Sequence, residues 1–291
     1  MDRCEGWVTE MKRAVVRCRV QTMSASGQVR QRPDQLAGEE PLEIRLAGRP
    51  FSVTMRTPGQ DFHLVAGFLL SEGVIWDTGH ITRIDYGPGV GPYGLKDFNT
   101  VEVTLAPGIS LPDTSLERHV YTSSSCGICG TASIEAVRKA SHHEVKFDPL
   151  SVPVTDILEL PSRLRAEQAN FDRTGGMHAA AIFVRDEDSD GLRLLSAAED
   201  VGRHNAVDKV LGSAVLQGLL PLRGTVLQVS GRASFELVQK AAMAAVPILS
   251  AVSAPSSLAV ELGIEHGLTV VAFNNGSTLN VYSHPDRIRS A

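Results

Sequence analysis

The stretch that decides the fold runs from Thr225 to Phe273, TVLQVSGRASFELVQKAAMAAVPILSAVSAPSSLAVELGIEHGLTVVAF. It reads as strand Thr225–Ser230, helix Ser234–Ala245, strand Pro247–Ala251, helix Ser257–His266 and strand Leu268–Phe273. Three apolar strands linked by two short helices imply right-handed crossovers and a parallel sheet core. Upstream, Arg203–Leu216 is an amphipathic helix with Ala206, Val207, Val210, Leu211 and Ala214 on one face. His178–Val184 and Leu192–Ala197 form a hairpin across the acidic turn DEDSDG. Val154–Asn170 has helical patterning, but Pro161 should kink or break it.

Further towards the N-terminus, PLEIRL and PFSVTM are two strands around the turn Ala47-Gly48-Arg49. Phe62, Val65, Phe68 and Leu69 recur at helical spacing, with Asp61 as a plausible cap and Gly73 closing the helix. Strands Ile81–Tyr86 and Thr100–Leu105 flank GPGVGPYGLKDF. That loop lacks a Lys-Ser/Thr ending and its prolines remove amide donors, so it reads as a connector and not a phosphate cradle. The expected architecture is a three-layer α/β domain with a smaller N-terminal β-containing subdomain. Residues 1–38 are expected to be a polar, disordered extension, 39–115 the β/α subdomain, and 116–291 the main domain.

Composition narrows the function classes. The chain has 291 residues, 43% hydrophobic and 21% charged, with a net charge of −5. That balance fits a soluble globular protein and supplies no excess cation for nonspecific contact with a nucleic-acid backbone. No run of 18 uninterrupted apolar residues suggests a membrane helix, and the N-terminus has no apolar signal region. Four cysteines, Cys4, Cys18, Cys126 and Cys129, in a chain this large point to a reducing compartment, so a cytoplasmic location is expected. Cys4 and Cys18 sit in the polar extension and read as incidental.

The sharpest chemical signal is Ser125-Cys126-Gly127-Ile128-Cys129-Gly130. A C-x-x-C loop brings two sulfurs within reach of each other or of one metal. A helix expected at Ser133–Ala140 would lower the thiol pKa through its N-terminal partial charge. Spacing alone leaves several readings open. A structural zinc site would need four ligands, and His142 and His143, adjacent in sequence, cannot readily both close a tetrahedron. A thioredoxin-like pair should follow a strand with aromatic neighbours, whereas here the preceding tract is hydroxylic. The third reading is a thiol that carries a persulfide beside a second cysteine, and the fourth is a pair of inert turn residues.

Other polar clusters are weaker. TGGMHAA places Ala180 two residues after His178, where zinc deaminases have a proton-shuttling Glu, so hydrolytic deamination is not expected. EDVGRHNAVDK crowds ionisable groups around a helix start, where Arg203, His204 and Asn205 could meet an anion. Asp200 is a candidate cap there, and Asp208 and Lys209 equally suit an ordinary solvated face. The ends of the parallel strands read Ser230-Gly231-Arg232, Ser253–Ser257 and Phe273–Thr278, small and polar, with Arg232 a possible phosphate partner.

With these runs in hand, MRTPGQDFHLVAGFLLSEG, SSSCGICG, TGGMHAAAIF, EDVGRHNAVDKVLG, SGRASFELVQKAAMAAVPIL, SAPSSLAVELG and GLTVVAF with NVYSHPDRI, the chain resembles the FdhD family of formate dehydrogenase accessory sulfurtransferases. The resemblance is collinear from about Pro41 to Ile288. It implies a cytidine-deaminase-like α/β fold. It also implies transfer of sulfur from a cysteine desulfurase to the molybdenum (or tungsten) cofactor in its bis(molybdopterin guanine dinucleotide) form, a guanine nucleotide being the expected mimic, before insertion into formate dehydrogenase. On that resemblance Cys126 holds the persulfide and Cys129 assists. The cofactor-binding stretch falls on Phe273, Asn274, Asn275, Gly276, Ser277 and Thr278, with Arg203, His204, Ser230 and Arg232 as further candidates. The family often has a basic residue near the start of that stretch, where this chain has Asn274 and Asn275, so backbone and amide donors would carry the contact. No protein-bound metal is needed, and a homodimer is implied. The competing reading is a cofactor-binding chaperone without a covalent intermediate, its C-x-x-C structural or metal-binding.

Overall fold

The computed structural model describes residues 13–87, 98–109, 141–186 and 191–290, with the main chain of 121–122. The first elements are β1 (Val15–Met23), β2 (Val29–Ala37), β3 (Glu40–Leu46), β4 (Arg49–Arg56), α1 (Asp61–Ser71), β5 (Ile81–Tyr86), β6 (Thr100–Leu105) and β7 (Tyr121–Thr122). Then follow β8 (Val152–Pro153), α2 (Val154–Ala166), α3 (Ala169–Thr174), β9 (His178–Arg185), β10 (Leu192–Asp200) and α4 (Arg203–Leu216). The chain ends with β11 (Thr225–Val229), α5 (Phe235–Met243), β12 (Ile248–Ala251), α6 (Ser257–His266), β13 (Thr269–Ala272), β14 (Asn280–Val281) and β15 (Ile288–Arg289).

The main sheet has six strands in the order β10-β9-β11-β12-β13-β14. β11, β12 and β13 are parallel, as the 225–273 pattern predicts, while β9 runs antiparallel to both its neighbours. Alternation along the strands splits the core between two faces. Ala181, Phe183, Val226, Ile248 and Val271 pack with Ile157, Leu160 and Leu164 of α2 on one face. Ala180, Ile182, Leu227, Leu249 and Val270 pack with α4, α5 and α6 on the other. The protein is thus mixed α/β, with helices on both faces of this sheet.

A second sheet, β5-β6-β3-β4-β7, lies beyond α1. Its Leu42, Ile44, Val101 and Val103 share one continuous core with Leu64, Leu69 and Leu70 of α1 and with α4. The β3–β4 turn uses Ala47 and Gly48, both at positive φ, as a tight right-twisted hairpin requires. Asp61 is not the cap of α1; Gln60 holds that place. Instead, the Asp61 carboxylate accepts from Arg56 Nε and Nη2, both at 3.0 Å, in a buried ion pair.

The two sheets are joined where α1 crosses α4. A Cβ on Gly67 would stand 1.9 Å from the Asp208 carbonyl oxygen, and one on Gly212 would stand 1.7 Å from that of His63. Only glycine lets the two backbones approach so closely. Asp208 and Lys209, which the sequence allows on a solvated face, are both 2% exposed. Lys209 Nζ lies 2.8 Å from Asp200 and donates to the Thr57 carbonyl at 3.0 Å, while Asp208 accepts from Lys240 at 2.7 Å and from Ser71 at 2.8 Å. Their partners come from distant parts of the chain, which is why the local sequence reads as surface.

Two further expectations are corrected. Residues 15–37 of the expected disordered extension form an antiparallel hairpin, paired from Val15↔Ala37 to Met23↔Val29. It is tied down by Arg173 Nε donating to Gln35 Oε1 at 3.0 Å. The other concerns Pro161: of the kink or break expected there, the break does not occur, and α2 runs on to Ala166. A proline leaves the carbonyl four residues earlier without its helical donor, and Asn274 Nδ2 supplies one to Ile157 at 2.6 Å.

Candidate functional site

β10, β11, β12 and β13 all end on one edge of the main sheet, at Asp200, Val229, Ala251 and Ala272. Antiparallel β9 begins there, so its first residue, His178, pairs with Asp200 at that edge. Main-chain bonds stitch the loops beyond it: Ser253 N–H donates to Gly231 at 3.2 Å and Phe273 N–H to Ser253 at 3.2 Å. Ala233 N–H donates to Ala254 at 3.2 Å and Ser256 N–H to Ala233 at 3.0 Å. Many of the backbone donors that make such loops attractive to anions are therefore engaged among themselves.

Four charged or titratable side chains gather on this edge. Arg203 and His204 open α4, Glu236 lies in the first turn of α5, and His178 opens β9. His204 Nε2 is 2.6 Å from Glu236 Oε2, both side chains about 15% exposed. Gly231 lies against the group; a Cβ there would sit 3.6 Å from His178 Nδ1 and 4.0 Å from Arg203 Cδ. Burial lowers the His178 pKa below the usual 6.5, and the charges of Arg203 and His204 lower it further against the opposing pull of Asp200. Burial pushes Glu236 upward, but His204, Lys240 and Arg203 outweigh it and hold the carboxyl below its ordinary range. The edge therefore sets a histidine of lowered pKa beside the Arg203 guanidinium and the His204–Glu236 pair.

Asn205, the third residue of the first turn, faces the other way. Its amide donates to the Met55 carbonyl at 2.6 Å and to Asp200 at 3.1 Å. Asp200 does not cap α4; it accepts from Gly202, Thr57 and Asn205 and anchors Lys209. Much of EDVGRHNAVDKVLG therefore binds the two sheets together, leaving Arg203 and His204 to the edge. Ser230 is likewise occupied, its Oγ accepting from Ala179 N–H at 2.9 Å. Arg232 is exposed beside it.

The Phe273–Thr278 loop follows β13 on the same edge. Phe273 is held at φ 52° and is 45% exposed. Asn274 is wholly buried, its amide taken up by Ile157 and by Ser250 Oγ at 3.2 Å. Asn275 Oδ1 accepts from Ser277 N–H at 3.0 Å and Thr278 N–H at 2.9 Å, closing a turn around Gly276 at φ 87°. The loop offers an exposed aromatic ring and a rigid polar turn.

Cys126 and Cys129, with the helix expected at Ser133–Ala140, lie outside the described residues, as does most of the GPGVGPYGLKDF connector. The described structure breaks off after β7, whose partner strand β4 lies against Asn205 at the junction of the two sheets. β7 pairs Thr122 with Thr54, whose Oγ1 donates to Asn205 Oδ1 at 3.4 Å. The described structure resumes at Ser141, whose Oγ donates to the Ala242 carbonyl at 3.1 Å. His142 stacks on Trp76 at 3.8 Å, and His143 Nε2 lies 3.0 Å from the Trp76 carbonyl. Among the described residues no group of three or more His, Cys, Asp or Glu is placed to hold a metal ion, and no helix is long and apolar enough to cross a membrane. Sequence reasoning passed over Glu236 and gave His178 no place in the site. Each stands at the first or second residue of an element that starts on this edge, and that is the signal that finds them.

These features define a mixed α/β protein whose two larger sheets share one core, with a histidine–arginine–glutamate cluster and an exposed phenylalanine on the carboxyl edge of the six-stranded one. The chain belongs to the FdhD/NarQ family, whose model matches residues 37–289. It is 53% identical over 284 residues to the sulfur carrier protein FdhD of Streptomyces coelicolor, covering 97% of this chain and 96% of that one. Its identity to the protein of the same name from Mycolicibacterium paratuberculosis is 52%, over 92% and 96%, and from Thermoplasma volcanium 42%, over 88% and 89%. The fold matches a crystal structure described as a formate dehydrogenase accessory protein of Desulfotalea psychrophila, with a TM-score of 0.70 at 24% identity, over 95% of this chain and all of that one.

Proposed function

We propose that this protein is a sulfurtransferase. It carries sulfur as a persulfide on Cys126 from a cysteine desulfurase to the bis(molybdopterin guanine dinucleotide) form of the molybdenum cofactor, and so serves formate dehydrogenase. The observation that supports this most is the family match over nearly the whole chain with the SSSCGICG pair present. The Cys126 thiolate attacks the outer sulfur of the desulfurase persulfide; that S–S bond breaks, the desulfurase cysteine leaves as a thiolate, and no net oxidation occurs. Attack by Cys129 on the loaded Cys126 would release the outer sulfur as hydrosulfide and leave a disulfide for a later reductant.

The cofactor is cargo, and the carboxyl edge suits it. Phe273 provides a face for a guanine or pterin ring, the Asn275–Thr278 turn provides polar contacts, Arg203 and Arg232 provide positive charge for phosphates, and His204 is a further hydrogen-bonding partner. The strand order, an antiparallel hairpin beside a run of parallel strands, is compatible with the cytidine-deaminase-like scaffold that the resemblance implies. Residues 39–115 would then be the smaller subdomain and 116–291 the carrier domain, in a cytoplasmic homodimer. Val16 and Leu36, an exposed cross-strand pair on the β1–β2 hairpin, favour such self-association.

The test is Cys126→Ala in cells whose own copy of the gene is deleted. Formate dehydrogenase activity should be lost. Full activity would contradict the carrier role and favour the non-covalent chaperone.

A further inference from the structure

No residue of the β1–β2 hairpin enters the sulfur chemistry proposed above, and the family match begins only at residue 37. Residues 13–37 carry five arginines against the single carboxylate of Asp34, a net +4 in a chain whose total is −5. Arg32 is paired with Asp34 at 3.1 Å. Arg17, Arg19 and Arg30 are exposed and have no carboxylate partner among the described residues. Positive charge is thus concentrated on one projecting element of an acidic protein.

The two edges of this hairpin differ. In an antiparallel pair the main-chain groups of successive residues point alternately towards the partner strand and away from it. Gly38 N–H donates to Ala14 at 2.8 Å and Ser24 N–H to Gln28 at 3.0 Å, at the two ends of the ladder. The register between them has no shift, so even-numbered residues turn inwards and odd-numbered ones outwards. β2 therefore carries Pro33 on its outer edge, where the ring interrupts the row of donors. β1 turns Val15, Arg17, Arg19 and Gln21 outwards with every N–H present, and among the described residues no strand pairs with that edge. Side chains alternate in the same way. Arg17, Arg19 and Gln21 stand on one face of β1, and Val16, Cys18 and Val20 on the other.

We propose that the outer edge of β1 is a docking site for an extended acidic segment of a partner protein. The segment adds as a third strand, with carboxylates beside Arg17 and Arg19 and apolar residues beside Val16, Cys18 and Val20. Main-chain hydrogen bonds supply the affinity, and the alternating side chains supply the selectivity. A second copy of β1 does not suit this edge. Antiparallel pairing centred on Cys18 would set Arg17 opposite Arg19 on both sides, and like charges directly opposite destabilise a sheet. Nucleic acid is not favoured either, because neither strand has an aromatic residue on which a base could stack. The proposal does not depend on sulfur transfer.

The test is fluorescence anisotropy of a labelled synthetic peptide in which Glu alternates with Val and Thr, titrated with the full-length protein. This peptide should bind, whereas the same sequence with Lys in place of Glu should not. Arg17→Glu combined with Arg19→Glu should weaken the Glu peptide at least about tenfold and admit the Lys peptide instead, an exchange that a disrupted hairpin would not produce. Gln21→Pro removes one outward donor and leaves the charge intact. It should weaken the Glu peptide by about fivefold, the loss of one hydrogen bond, and it serves if the charge-reversed hairpin fails to fold. Failure of wild type to bind the Glu peptide, or equal binding of both peptides, would overturn the proposal. Tighter binding of a single-stranded RNA or of phosphatidylglycerol vesicles, lost in the charge-reversed variant, would also overturn it and assign the arginines to that polyanion.

Discussion

Asn274 occupies a position where the family resemblance suggests a cofactor contact, and its side chain instead completes the backbone of α2 behind the sheet. Asn274→Ala should therefore cost about 1–3 kcal/mol of stability in urea unfolding, because the Ile157 carbonyl is left buried without a donor. Phe273 faces outward, and Phe273→Ala should weaken binding of GDP, the mimic of the guanine end, by about tenfold with little change in stability, consistent with a stacking contribution of roughly 1–3 kcal/mol. Loss of stability without loss of affinity would reverse the two roles. His63 and His178 both have pKa values lowered from 6.5, each chiefly by burial. The unfolded chain then binds more protons than the native one as pH falls below 6.5, so stability should be level above that pH and decline below it. His63→Gln and His178→Gln should each flatten the decline in urea midpoints between about pH 6.5 and 5.

At the scale of elements, the strands and helices of residues 225–273 were legible because buried parallel strands carry their pattern locally. The β1–β2 hairpin was not, since it buries little and its residues are mostly polar. The continuity of α2 through Pro161 was also hidden, because the compensating donor arrives from beyond β13. The same applies to α4, whose Asp208 and Lys209 find their partners on other elements. In the site, Arg203 and His204 could be picked out from a helix start, whereas Glu236 gains meaning only when α5 is set beside α4. The α1–α4 crossing yields a direct prediction. Gly67→Ala or Gly212→Ala should destabilise by about 1–3 kcal/mol or more in urea unfolding, because the added carbon meets backbone and not a movable side chain. Gly176→Ala, whose Cβ would meet Ala37 at an ordinary 3.5 Å, should be near neutral.

Across the whole molecule, that crossing makes the two sheets one cooperative body, since the cores of both meet in a single cluster. Unfolding followed by far-UV circular dichroism and by tryptophan fluorescence, to which Trp76 contributes from the side of the smaller sheet, should give coincident transitions. Separate transitions would show that the smaller sheet opens alone. The central claim concerns a sulfur atom on Cys126. The most direct test is the intact mass of the protein after incubation with a cysteine desulfurase and cysteine. The account predicts an added sulfur that reductant removes and that is absent from Cys126→Ala. A mass unchanged in wild type, or an equal gain in the variant, would contradict it.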